Sequence, residues 1–177
     1  RFLLPFAMDL KPMSYTGRDE GIQVSLKTII RAGDNASNVA AAIHSLFPDA
    51  VVEELPKQTF PNQHYQEIEC NHLSFETFLE QLRKQAILDT AMDAMGIHLE
   101  GNQTAFNISR LAAFAGKIAF TYEEEPLGGT FEIRLEGVGL SDWIEACTWH
   151  KGRQNVPRQL NDDSAMDSTG EASTWHQ

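Results

Sequence analysis

The sequence predicts an α+β fold: a curved, mainly antiparallel sheet with helices packed on one face. Three observations carry this. Apolar residues alternate with polar ones at period two around residues 22–30, 104–109, 118–122 and 131–135. Between them, residues 39–47 and 75–95 place their apolar side chains three and four apart, as a helix does. The Pro- and Gly-bearing stretch 123–129 between two of the strand patterns reads as a hairpin connection, in keeping with an antiparallel or mixed sheet covered by helices on one face.

Ile22, Val24, Leu26, Thr28 and Ile30 share one face of the first strand, and Gln23, Ser25, Lys27 and Arg31 the other. Gly33 breaks the run, and Asp34 is expected to cap a helix that buries Val39, Ile43, Leu46 and Phe47 before Pro48 ends it. Ala50–Glu54 is expected as a second strand, and Pro56 and Pro61 bracket a loop. A further strand alternates Tyr65, Glu67 and Glu69 with Gln66, Ile68 and Cys70. Ser74 is expected to cap the next helix, which carries two apolar stripes: Phe75, Phe78, Leu79 and Leu82, then Leu88, Ala91, Met92 and Met95. Six residues separate Leu82 from Leu88, which turns the face by roughly 240°. One straight helix cannot bury both, so a break is expected near Lys84–Ala86, with Gly96 closing the second piece.

Three strands follow. Thr104, Phe106 and Ile108 mark the first, Ile118, Phe120 and Tyr122 the second, and Phe131, Ile133 and Leu135 the third. The Glu123–Gly129 stretch, EEEPLGG, is expected to join the last two as a hairpin connection. Ser141 is expected to cap a short helix through Cys147. Val24, Leu26, Phe106, Ile108, Phe120, Ile133 and Leu135 should form the buried face of the sheet. The other face would carry Lys27, Arg31, Asn107, Lys117, Thr121 and Arg134.

The chain is long enough for one core, and its composition is that of an ordinary soluble fold. Residues 1–20 read as an N-terminal arm, 21–151 as a single domain and 152–177 as a disordered polar tail with almost no aliphatic residues. The net charge of −11 argues against a protein that coats nucleic acid indiscriminately, although it leaves room for a local basic patch, and an acidic balance is also typical of salt-adapted proteins. Two cysteines far apart make no disulfide framework and point to a reducing, cytoplasmic compartment. No stretch is long and apolar enough for a membrane span.

Catalytic signatures such as a P-loop, GxSxG or HExxH are missing, so no enzyme and no cofactor is expected. His64, Cys70 and His72 lack the tight ligand pair of a zinc site and read as surface histidines and a core cysteine, so no metal is expected. The polar groups that the periodicity leaves unexplained are Arg83, Lys84 and Gln85 at the expected helix break, and Asn107 and Arg110 about twenty residues on. An ordinary solvated face accounts for such residues. So does an anion clamp, in which arginine offers phosphate a planar fork, lysine a point charge, and the amides hydrogen bonds to sugar or base. Phe106 and Phe120 fall on the core face, so they do not make the stacking platform of common RNA-binding sheets.

LFPDA (Leu46–Ala50), LRKQAILDTA (Leu82–Ala91), FNISRLAAFAGKIAF (Phe106–Phe120) and PLGG (Pro126–Gly129) occur in this order. Together they resemble an uncharacterised archaeal family described as RNA-binding and similar in fold to the large-subunit ribosomal protein that holds the five-S ribosomal RNA. The resemblance covers about residues 22–146. It implies RNA as partner and carries over most directly to Arg83, Gln85, Asp89 and Arg110; with the clamp residues and the polar sheet face, the residues expected to bind RNA are Arg83, Lys84, Gln85, Asn107, Arg110 and Lys117. Relatives proposed as exosome-associated imply a second reading, an adaptor that binds proteins of an RNA-processing complex. The chain departs from the family at Leu111, where a glutamine is usual, and an amide's hydrogen bonds are lost there.

Overall fold

The structure, a computed structural model, describes residues 14–53 and 65–161. Its centre is an open five-stranded antiparallel sheet. The strands are β1 (Gln23–Ile30), β2 (Gln66–Cys70), β3 (Gln103–Ser109), β4 (Phe120–Thr121) and β5 (Thr130–Glu136), in the order β2-β1-β5-β3-β4. Five helices accompany it: α1 (Ala36–Leu46), α2 (Glu76–Lys84), α3 (Leu88–Ile97), α4 (Arg110–Phe114) and α5 (Leu140–Cys147). Strands β1, β3 and β5 bury every second side chain, so one sheet face meets the helices and the other stays polar. Leu26 lies opposite Ile133, which lies opposite Phe106, so the expected apolar sets fall in one register. Phe47, Phe75 and Phe78 stack between helices and sheet, with ring centroids 4.5–6.4 Å apart.

Several expectations are corrected. Residues 50–53 form no strand, and Glu54 lies outside the described residues, as do Pro56, Pro61 and His64. Asn35, not Asp34, caps α1 by accepting from the Asn38 N–H, because the Asp34 carboxylate turns instead to Arg110 and to the Arg31 N–H. Phe75 takes the cap position of α2, and the Ser74 hydroxyl reaches the Glu76 N–H only at 3.4 Å. Gly96 lies inside α3, where a Cβ would stand 2.6 Å from the Asn161 side chain; it is there for close packing rather than as a stop. Gly139 takes the cap position of α5, and Ser141 sits within the helix.

The run after Arg110 is not all strand approach. Ser109 accepts from the Ala112 N–H and starts α4, a single turn too short to show a period, and only Phe120–Thr121 then pairs with β3. Phe120 is consequently half-buried at the sheet edge, against Phe106 at 5.7 Å. The EEEPLGG stretch is no hairpin connection, because β3 lies between β4 and β5.

Both ends of the described chain fold onto the core. Tyr15 meets Trp143 edge-on at 6.5 Å, and Glu20 accepts from the Trp143 Nε1–H at 3.0 Å. Burial raises the Glu20 carboxyl, but bonds from Trp143, Gly17 and Thr16 outweigh that and leave it below its ordinary value. Lys151–Gln154 forms a 3-10 turn that buries Arg153, and Arg158 donates to both oxygens of the buried Asp93. The polar stretch expected to be disordered from residue 152 is instead tied to the core as far as Asn161, by Arg153 and Arg158 and by Leu160 packed against the core.

Candidate nucleic-acid interface

The expected break between the helical stripes is a Schellman turn. The Ala86 N–H bonds the Arg83 carbonyl and the Ile87 N–H the Leu82 carbonyl, which ends α2 and lets α3 start at Leu88 on a new heading. Ala86 takes the left-handed conformation, φ 57°, where glycine is usual. Gln85 locks the corner: its side chain donates to the Ile118 carbonyl at 2.9 Å and accepts from the Ile118 N–H at 2.8 Å. Both hydrogen-bonding ends of this amide are thus committed to the framework, one residue from Lys117.

A cavity of about 510 Å³ opens at this corner. Ala86, Leu88 and Trp149 give it apolar walls, and Arg83 and Lys151 bring cations. His150 and Asp89 complete the lining. Asp89 accepts from Arg153 Nε at 2.9 Å and lies 2.9 Å from His150 Nε2, while His150 Nδ1 accepts from the Gly152 N–H. Burial raises the Asp89 carboxyl, but the bonds from His150 and Arg153, with their charge, outweigh it and hold it below its ordinary value. Its negative charge is therefore offset by an arginine whose side chain is only 5% exposed.

The remaining cations sort cleanly. Among the described residues, Arg18, Lys27, Arg31, Arg110, Arg134, Arg153 and Arg158 each make an ion pair. Arg83, Lys84, Lys117 and Lys151 have no ion-pair partner among those residues. All four belong to the corner: Arg83 and Lys151 line the cavity, Lys84 follows Arg83 at the end of α2, and Lys117 adjoins the Ile118 peptide that Gln85 grips.

Arg110 and Asn107 are placed elsewhere. Arg110 is 7% exposed. Its guanidinium donates to the Gly128 carbonyl, the Thr28 hydroxyl, the Ile29 carbonyl and the Asp34 carboxylate, all within 2.7–3.0 Å. It fastens the end of β1 to the PLGG loop, where a Cβ on Gly129 would stand 2.9 Å from the guanidinium carbon. Asn107 faces a second cavity, about 560 Å³, on the polar sheet side. There Lys27 pairs with Glu67 and Arg31 with Glu125, so the cations are already neutralised. The two cavities share no lining residue: of Arg83, Lys84, Gln85, Asn107, Arg110 and Lys117, expected on a single surface, Arg83 lines the corner cavity, Asn107 and Arg110 line the second, and Lys84, Gln85 and Lys117 line neither.

Trp149, His150 and Lys151 were not among the expected residues. Their signal is TWHKGR (Thr148–Arg153), an aromatic beside alternating basic groups at a helix end, which the polar residues that follow it obscure. Cys70 is buried and His72 exposed, and no cluster of metal-binding side chains forms among the described residues. None of the described helices is long and apolar enough to cross a membrane.

No family model matches the chain. It is 26% identical over 129 residues to a UPF0200/UPF0201 protein of Archaeoglobus fulgidus, a match that takes in 71% of this chain but only 37% of that protein. It is 29% identical over 132 residues to a UPF0201 protein of Sulfurisphaera tokodaii, covering 71% of this chain and 88% of the relative. The crystal structure of a UPF0201 protein from Methanococcus jannaschii matches with a TM-score of 0.62 and 25% identity, over 73% of this chain and 96% of that one. A second UPF0201 crystal structure, 23% identical with a TM-score of 0.58, has the same fold. By sequence and by fold, the chain is therefore similar to the archaeal UPF0201 proteins, an uncharacterised family.

Proposed function

We propose that the chain is a non-enzymatic RNA-binding protein and that it meets RNA at the α2–α3 corner. One observation carries the reading: in a protein of net charge −11, the cations left without an ion-pair partner among the described residues all belong to this one corner. Long-range attraction to a polyanion is weak for such a protein, so binding depends on those few contacts. The resemblance to a family described as RNA-binding points the same way, as does its likeness in fold to the protein that holds five-S ribosomal RNA. Gln85 supports the surface from within. A second reading, an adaptor in an RNA-processing assembly, draws on Leu111 and Phe114, which α4 exposes at 57% and 52%.

The test is affinity for a structured RNA at several salt concentrations, with wild type compared with Arg83→Ala/Lys151→Ala. Each phosphate contact contributes about 0.7–0.9 to the slope of log affinity against log salt, so the double variant should bind more weakly with a slope flatter by about 1.5. An unchanged affinity and slope removes this corner as the RNA site. No binding by wild type at low salt overturns the RNA reading and moves the adaptor forward.

A further inference from the structure

We propose that the corner cavity holds one unpaired nucleotide, its base against Trp149 and its phosphate between Arg83 and Lys151, so that the protein selects single-stranded over paired RNA. The inference rests on the reading of the corner as an RNA surface and specifies which form of RNA it takes. A paired helix turns phosphates outward and keeps its bases stacked, so it engages cations but fills no apolar recess. A cation patch alone would therefore need no cavity. Here the recess of about 510 Å³ lies in the size range of small-ligand sites. Trp149 is 49% exposed at the cavity, a large aromatic left with half its surface uncovered, next to Leu88 and Ala86. An indole accepts any base, because every base has a π-face. Arg83 and Lys151 frame the same recess, and the one carboxylate lining it, Asp89, is occupied by Arg153 and His150. An apolar wall, an exposed aromatic and unneutralised cations in one recess are complementary to a nucleotide, which is a flat base joined to an anion. Gln85 and the Schellman turn hold α2 and α3 at this angle before anything binds, so the recess does not have to be assembled by its ligand.

The probes are a ten-nucleotide oligouridylate carrying 2-aminopurine at its centre and a blunt ten-pair RNA duplex, each titrated into the full chain at low salt. Wild type should bind the single strand about tenfold or more tightly than the duplex and quench the 2-aminopurine by stacking. Trp149→Ala should abolish the quenching and most of the preference, and Trp149→Phe should keep much of both. Arg83→Ala/Lys151→Ala should weaken both probes. Equal affinity of wild type for the two probes with no quenching overturns the nucleotide pocket, while the RNA reading survives on the cation variant's loss. Failure of wild type to bind either probe overturns both. The quenching needs no variant, so the proposal is tested even if Trp149→Ala does not fold.

Discussion

Asp89 ties the new cavity to stability through its protonation. Its folded value lies below its unfolded one, because the His150 and Arg153 bonds favour the charged form more than burial disfavours it. The carboxylate's contribution is thus fully present above an ordinary aspartate value, about 3.9, and is lost as pH falls through the lower folded value. Thermal melts of wild type at pH 7, 5 and 3 should show little change in this contribution between the first two and a loss by the third. Asp89→Asn should cost about 1 kcal/mol at pH 7, a small figure because the side chain is 35% exposed, and should lose less than wild type by pH 3. An equal acid loss in both proteins would show that the Asp89 contacts carry no linkage. At the same scale, the sequence makes the polar residues of the two motifs visible but not their task. Arg83 and Arg110 look alike in one dimension. Whether a guanidinium is free or spent depends on the Thr28 hydroxyl and the Ile29 and Gly128 carbonyls brought to it, and no local pattern encodes those.

Among the elements, the α2–α3 corner shows why a boundary can be read from period alone while its chemistry stays hidden. The change of apolar face between Leu82 and Leu88 is a sequence signal, and the turn falls where it requires. The usual glycine is replaced by Ala86, so no residue marks the left-handed position. Ala86→Gly should therefore stabilise the protein by up to about 1 kcal/mol, since relief of the left-handed penalty exceeds the extra chain entropy of glycine. A rise in melting temperature of about 2–4 °C is the expected reading, and a fall would mean that the Ala86 methyl packs usefully against the cavity wall. The caps were harder to read than the strands. Asp34, Ser74 and Ser141 are sound cap residues by type, but the position goes to Asn35, Phe75 and Gly139, and Asp34 is claimed by Arg110. One-turn α4 escapes notice because five residues do not complete a stripe.

For the whole molecule, the polar segment after α5 belongs to the folded unit, at least to Asn161. A chain limited to residues 21–151 should melt at least about 10 °C below the full chain. It loses Arg153 from Asp89, Arg158 from a carboxylate 5% exposed, and the Glu20 partner of Trp143. Breaking a buried ion pair costs about 3–5 kcal/mol, and each kcal/mol is worth about 2–4 °C at this size. Melting at the full chain's midpoint would show these contacts to be idle. Low aliphatic content hid this packing, because buried arginines meeting helix carboxylates leave no hydrophobic period behind. The strand order has its own effect in time. β1 sits between β2 and β5, and the chain makes β5 only about a hundred residues after β1. At about 5–20 residues per second of synthesis, the first strand waits roughly 5–20 s for its central neighbour. Throughout that interval Val24 and Leu26 lack the Leu135 and Ile133 side chains they will pair with, so a nascent chain of this topology offers chaperones an apolar strand until β5 has emerged.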